Sequence, residues 1–225
     1  MVSGFRIARR TRVVPSVLLE NFRGVPIANV SDVMFRMTAG GPTLRPMHGG
    51  GSLVGPALTV KTRPGDNLMV HKAIDIAEPG DVIVVDAGGD LTNALIGELM
   101  VAHAIKRGVA GFVINGSIRD GAALRAGRLP VFAAGVTHRG PYKNGPGEIN
   151  LPIAIAGMVV VPGDIILGDD DGVVCVPFDD AETVLAAAKA KHLAEEAQMA
   201  AILAGTSDRS SYTDAALARL GCEML

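Results

Sequence analysis

Arg119 and Asp120 stand side by side in VAGFVINGSIRDGAAL (109–124), where an apolar, β-type run ends in Asn115-Gly116-Ser117. A second acid, Glu98 after Gly97, lies upstream in GGDLTNALIGELM (88–100), read as a strand end passing through a loop into a helix. Should the two segments meet, two carboxylates and a guanidinium converge. That set suits a hard divalent cation, since Mg²⁺ is commonly held by one or two carboxylates with water and substrate oxygens filling the rest. Free backbone N–H groups at a helix start also suit a carboxylate or phosphate. Spacing alone leaves a second reading open. Asp120 could cap a helix over 121–126 and pair with Arg119 on the surface, with Glu98 solvated.

Other charged groups read as structural. GDDDG (168–172) lacks the spacing and distal Glu of a calcium loop and is expected to be a hairpin turn, where Asp and Gly dominate for conformational reasons. The five histidines include no HxxxH or HExxH pair, which argues against zinc. PGD occurs at 64–66, 79–81 and 162–164, read as reused turn chemistry entering strands. Lys143 and Glu148 sit in a loop, GPYKNGPGE, where a lone lysine is expected to be solvated, with ligand contact as the lesser alternative. The basic run Arg6, Arg9, Arg10 and Arg12 is likewise read as a solvated face. Neither GxGxxG nor a P-loop pattern is present.

The elements that must position these groups follow from hydrophobic periodicity. Short helices are expected over 13–23 and 31–37, the second capped by Ser31. A glycine-rich loop then leads into a strand at 57–62, a helix over 67–77 and a buried strand VIVVDA (82–87). After Gly88-Gly89-Asp90 a helical stretch runs to Lys106-Arg107, with Gly108 as its stop. VAGFVING is the next strand, RDGAALRA a short helix and PVFAAGV another strand. This β-α-β-α-β alternation implies parallel pairing through crossover helices. If the crossover is simple, Arg119-Asp120 and Gly97-Glu98 emerge at the same end of the sheet, where open α/β sheets bind ligands. Beyond 140 come a loop without regular structure, four short strands separated by turns, and a long Ala-rich helix over 179–204 with an apolar face suited to packing or to crossing between subunits.

Bulk properties narrow the class. The chain has 225 residues, 48% hydrophobic and 20% charged, which fits one globular α/β domain. A net charge of −2 with dispersed basic residues argues against a nucleic-acid surface. Cys175 and Cys222 have no metal-type spacing and read as reduced thiols. No signal peptide or membrane span is expected, so a cytoplasmic protein is anticipated.

Four ordered blocks, PGDVIVVDAGGD, ALIGELM, GFVINGSIRD and GDDDGVVCVP, resemble the RraA-like family over roughly residues 25–200. That family holds regulators of ribonuclease E and class II aldolases acting on 4-hydroxy-4-methyl-2-oxoglutarate and 4-carboxy-4-hydroxy-2-oxoadipate. The resemblance implies a single swivelling-type β/β/α domain, with a core over about 25–178 and a long C-terminal helix. It also implies a trimer, or a hexamer of two trimers, with sites at subunit interfaces. In the aldolase branch, Asp120 would be the protein ligand of Mg²⁺ or Mn²⁺. Arg119 would stabilise the pyruvate enolate. Gly97 with the N–H groups of Leu99 and Met100 would hold the substrate carboxylate, and Glu98 would act through a water at the metal. The family's aldolases can carry Asp at that position, one methylene shorter. Glu195 from a neighbouring subunit would face the metal, with Glu196 as the other match. Retention of Arg119, Asp120 and Glu98, and the long final helix, favour the aldolase branch, with oxaloacetate decarboxylation as a side activity. The alternative is a non-catalytic regulator that binds ribonuclease E. A Schiff-base aldolase using Lys61, Lys72 or Lys143 is a second enzymatic option.

Overall fold

The computed structural model describes residues 4–223. Its chain order begins β1 (Phe5–Ile7), α1 (Ser16–Phe22), α2 (Ile27–Val33), β2 (Arg45–Pro46), β3 (Leu53–Thr62), α3 (Leu68–Ile76), β4 (Val82–Asp86), β5 (Ala94–Ile96) and α4 (Glu98–Arg107). It continues through β6 (Gly111–Ile118), α5 (Gly121–Ala126), β7 (Val131–Val136), β8 (Gly147–Ile149), β9 (Ile153–Ile155), β10 (Met158–Val160), β11 (Ile165–Asp169) and β12 (Gly172–Val176). The last helices are α6 (Ala181–Leu203) and α7 (Asp214–Arg219).

The central sheet runs β1-β8-β3-β4-β6-β7-β2, with β3, β4, β6 and β7 mutually parallel. Both faces of these strands are covered, which is why they read as continuous apolar runs. Ile83, Val85, Phe112 and Ile114 pack on one face with Val70, Ile74 and Ala104 of α3 and α4. Their neighbours Val82, Val84 and Val113 point the other way, onto Ile155, Met158 and Val160 of the β9–β10 hairpin. A third core joins β11 and β12 to α1, α2 and the first half of α6 through Phe22, Val30, Leu167, Val174 and Leu185. The layers are thus β on β with helices on the outside, the mixed α/β arrangement expected.

Several local expectations need correction. The helix anticipated over 31–37 is α2, which starts at Ile27 after Pro26 and carries Ser31 in its interior. Its first N–H is satisfied by Asp169 Oδ2 at 3.1 Å, a cap from another part of the chain. The helix stops before Phe35 and Arg36, both in the left-handed region with φ of 56° and 65°. The helix expected over 13–23 begins only after Pro15. Strand β5 falls in the stretch after Gly88-Gly89-Asp90 read as helical, which becomes helix only at Glu98, and β8 falls in a segment read as a loop; each joins the sheet by a few residues. GDDDG does form the β11–β12 hairpin turn, with Asp169 Oδ1 accepting the Asp171 N–H at 2.9 Å.

The N-terminal arginines do not form the solvated face expected of them. Arg10 pairs with buried Asp81 and, at 2.7 Å, with Glu78. Arg12 reaches Asp164 at 3.4 Å and Asp179 at 3.3 Å, and Arg6 pairs with Glu148 at 2.8 Å. Their partners lie more than sixty positions away, so spacing could not reveal them. These contacts and β1–β8 pairing strap the segment across the body.

Candidate active site

The end of β6 and the start of α4 are brought together by a short parallel pairing, in which Ile96 of β5 faces Ile118. Arg119 N–H then donates to Ile96 O at 3.0 Å, which sets Arg119-Asp120 directly against Gly97-Glu98. Asp120 takes the left-handed conformation, φ 58°, one that short polar residues enter more readily than others. It occupies the cap position of α5, yet its side chain makes no cap bond there. Instead Asp120 Oδ2 accepts the backbone N–H of Glu98 at 3.0 Å and so caps α4. The capping reading was right in kind and wrong in helix. Arg119 Nε lies 3.7 Å from the same oxygen.

Gly97 is demanded by this approach. Its own φ of −153° is ordinary extended backbone, but a Cβ would collide with the Asp120 carboxylate and sit 3.0 Å from Arg119 Cγ. Val101 N–H is the first in α4 to find an intrahelical acceptor, Gly97 O at 3.1 Å. With Glu98 N–H taken by Asp120, the N–H groups of Leu99 and Met100 stay available at the positive end of the helix.

A cleft of about 320 Å³ opens beside them, lined by Asn67, His71, Gly97, Leu99, Arg119 and Lys143, among others. Among the described residues no carboxylate lines it; Glu98 and Asp120 adjoin the lining residues Leu99 and Arg119 in the chain. Asn67 and His71 come from the start of α3, and Lys143 from the loop between β7 and β8. Asn67 Nδ2 donates to Leu95 O at 2.8 Å, while its Oδ1 is buried without a partner. His71 keeps an exposed edge, yet partial burial and then the Lys143 charge push its pKa below 6.5. The cleft therefore presents Arg119, Lys143 and helix N–H groups to an anion.

Lys143 was read as solvated, and Asn67 and His71 were not singled out. A signal existed: NLMVH follows a strand end on the same sheet edge and places Asn67 and His71 one helical turn apart. Lys61 and Lys72 do not line this cleft. Glu195 does not line it either; within its own chain it accepts from Asn29 Nδ2 at 2.5 Å and pairs with Lys191 at 2.8 Å. Glu196 lies 3.6 Å from His192. Among the described residues, no three His, Cys, Asp or Glu side chains cluster as a metal site.

A family profile described as RraA-like, Aldolase/RraA, matches residues 27–175, which contain every group of this cleft. The chain belongs to the RraA-like family. One RraA-like relative, from Halalkalibacterium halodurans, carries the name "Putative 4-hydroxy-4-methyl-2-oxoglutarate aldolase". It is 43% identical over 184 residues, covering 82% of this chain and 88% of its own. Two solved structures share the RraA-like fold. An uncharacterized protein from Pseudomonas syringae pv. tomato matches with a TM-score of 0.80 at 27% identity, over 89% of this chain and 94% of that one. Streptomyces coelicolor RraAS2, described as an unusual member of the RNase ES inhibitor RraA protein family, gives 0.74 at 25% identity, over 82% and 97%. The first relative's name is that of an aldolase, a lyase activity, while the second structure is described within an inhibitor family. The N-terminal strap, α1 and α6 lie outside the profile.

Proposed function

We propose that this protein is a divalent-metal-dependent aldolase that cleaves a 4-hydroxy-2-oxo acid, of the 4-hydroxy-4-methyl-2-oxoglutarate or 4-carboxy-4-hydroxy-2-oxoadipate type, to pyruvate and a second oxo acid. One observation carries the reading: Asp120 and Arg119 stand beside free helix N–H groups at the mouth of an anion-attracting cleft. The donor set fits a hard cation. Asp120 is a partly exposed carboxylate whose Oδ2 alone is engaged by Glu98 N–H, and Mg²⁺ or Mn²⁺ takes one carboxylate with water and substrate oxygens. When bound, the metal acts as a Lewis acid on the 2-oxo group.

The protein's own groups supply the rest. Leu99 and Met100 N–H groups hold the substrate C1 carboxylate at the helix start. Arg119 stabilises negative charge on the C2 oxygen as the C3–C4 bond breaks and the enolate forms. Glu98, at the mouth, accepts the C4 hydroxyl proton through an intervening water and returns a proton to C3. Loss of CO₂ from oxaloacetate leads to the same enolate, so decarboxylation accompanies the aldolase activity.

Glu195 completes the site from a neighbouring subunit in a trimer or hexamer. The exposed far half of α6, with Leu193, Ile202 and Leu203 turned to solvent, supports such an assembly. Arrival of a partner would redirect Glu195 from Asn29, or use Glu196 beside it.

The test is a panel of 4-hydroxy-2-oxo acids and oxaloacetate, with pyruvate release coupled to lactate dehydrogenase. Activity restored to EDTA-treated protein by Mg²⁺ or Mn²⁺ is expected; undiminished turnover in chelator would sink the proposal. The likeness to RraAS2 favours one rival, a ribonuclease E regulator, which predicts partner binding that survives Asp120→Ala. Because Lys143 lines the cleft, borohydride with pyruvate checks the Schiff-base route, and no trapped adduct is expected.

A further inference from the structure

We infer that Asp66 is a positioning residue that holds Lys143 in the cleft, an inference that rests on the aldolase reading for the identity of the ligand. The three PGD motifs differ in what their aspartates do. Asp81 Oδ2 accepts the N–H of Glu78 at 2.9 Å, and Asp164 Oδ2 that of Val161 at 2.8 Å. Each thus closes its own turn on the residue three positions back. Asp66 breaks the pattern. The corresponding N–H, that of Arg63, goes instead to Pro146 O at 3.4 Å.

The Asp66 carboxylate is turned toward the remote loop. Oδ2 accepts Asn144 N–H and Gly145 N–H, each at 2.8 Å, and Arg63 Nη2 at 3.3 Å. Oδ1 accepts Leu68 N–H at 2.9 Å, in the first turn of α3. Backbone bonds run alongside, from Tyr142 N–H to Gly65 O at 2.8 Å and from Asn67 N–H to Tyr142 O at 3.0 Å. Asp66 is 0% exposed, and a buried carboxylate is tolerated only when its oxygens are fully engaged. The other two aspartates, whatever else they bind, spend Oδ2 on closing their own turns, which Asp66 does not do. What this arrangement adds is a fixed distance between two walls of the cleft: the start of α3, with Asn67 and His71, and the loop carrying Lys143. Between Pro141 and Pro146 that loop forms no helix or strand, only the bridge of Tyr142 to Asp66, so Lys143 depends on these anchors for its place.

The experiment is a double-mutant cycle of Asp66→Asn and Lys143→Ala, read as KM and kcat for the best 2-oxo acid of the panel and as oxalate affinity by calorimetry, both with Mg²⁺. Lys143→Ala is expected to raise KM and weaken oxalate about tenfold, in line with loss of one charged hydrogen bond. Asp66→Asn should do the same with kcat changed less, and the double variant should be no worse than either single one. About hundredfold weakening in the double variant would mean independent roles and overturns the inference. Asp66→Glu, which keeps the buried charge, repeats the cycle if the asparagine variant does not fold. Hydrogen exchange on the unaltered protein is a separate check: Asn144 and Gly145 amides should be protected, and rapid exchange overturns the proposal. Absence of turnover with every substrate would defeat the aldolase reading, whereas the oxalate cycle would still decide the role of Asp66.

Discussion

Glu98 N–H donates to Asp120 Oδ2 at 3.0 Å, joining the first residue of one helix to the residue that follows a neighbouring strand. The bond ties Asp120, in its left-handed backbone conformation, to the start of α4 through one of its two oxygens. It also consumes one of the helix's free N–H groups and leaves the next two for a ligand.

This closeness depends on the missing side chain at position 97. Gly97→Ala should therefore displace Asp120 and Arg119 and lower kcat at least hundredfold, a loss of about 3 kcal/mol of transition-state stabilisation. A thermal melt should move little, because the affected groups lie at the surface end of the sheet. A variant with normal kcat would show that the approach of Asp120 to α4 is dispensable.

His71 should titrate below 6.5, followed by NMR of its ring protons. Because the folded pKa is depressed, the folded state binds fewer protons than the unfolded one between the two values. Stability therefore rises with pH through that window and is lost as pH falls through it. An anion in the cleft favours the imidazolium, so adding pyruvate with Mg²⁺ should move the midpoint upward. A midpoint that ignores pyruvate would place the anion elsewhere.

Removal of Arg10 should act on stability alone. Burial raises the pKa of Asp81 above its usual 3.8, with Arg10 opposing that rise. Arg10→Ala leaves a buried carboxylate without its partner, at a cost of about 3–5 kcal/mol in urea unfolding. A raised carboxylate pKa means that the folded state binds more protons, so stability falls as pH rises above the unfolded value. That slope should be steeper in the variant, and kcat at 25 °C should be unchanged.

Much of this was legible in the sequence because it rests on local patterns. Two-sided burial of β4 and β6 shows in VIVVDA and GFVING, and Gly108, with φ 76°, is the helix stop that its position suggested. The convergence of Gly97-Glu98 with Arg119-Asp120 followed from a simple crossover. What escaped depends on distant partners: the Asp169 cap on α2, the ion pairs of Arg6, Arg10 and Arg12, and the Asp66 anchor that brings a loop lysine to the cleft. Glu195 lies between these cases, since its proposed site belongs to another copy of the chain.

That dependence can be measured by truncation. Ending the chain after Ala188 removes the exposed half of α6 but keeps its packed residues Val184, Leu185 and Ala188. Analytical ultracentrifugation should then show a monomer, with metal-dependent turnover lost. An active monomer would show that each cleft is complete within one chain.

In the proposed reaction Asp120 holds the metal on which carbon–carbon cleavage depends. The most direct measurement is pyruvate release by Asp120→Ala at saturating Mg²⁺, alongside its melting temperature. Turnover should fall at least about a thousandfold, as expected when the Lewis acid and its several kcal/mol of charge stabilisation are lost, with the melting temperature nearly unchanged. Metal-stimulated pyruvate release at the parent rate would contradict it.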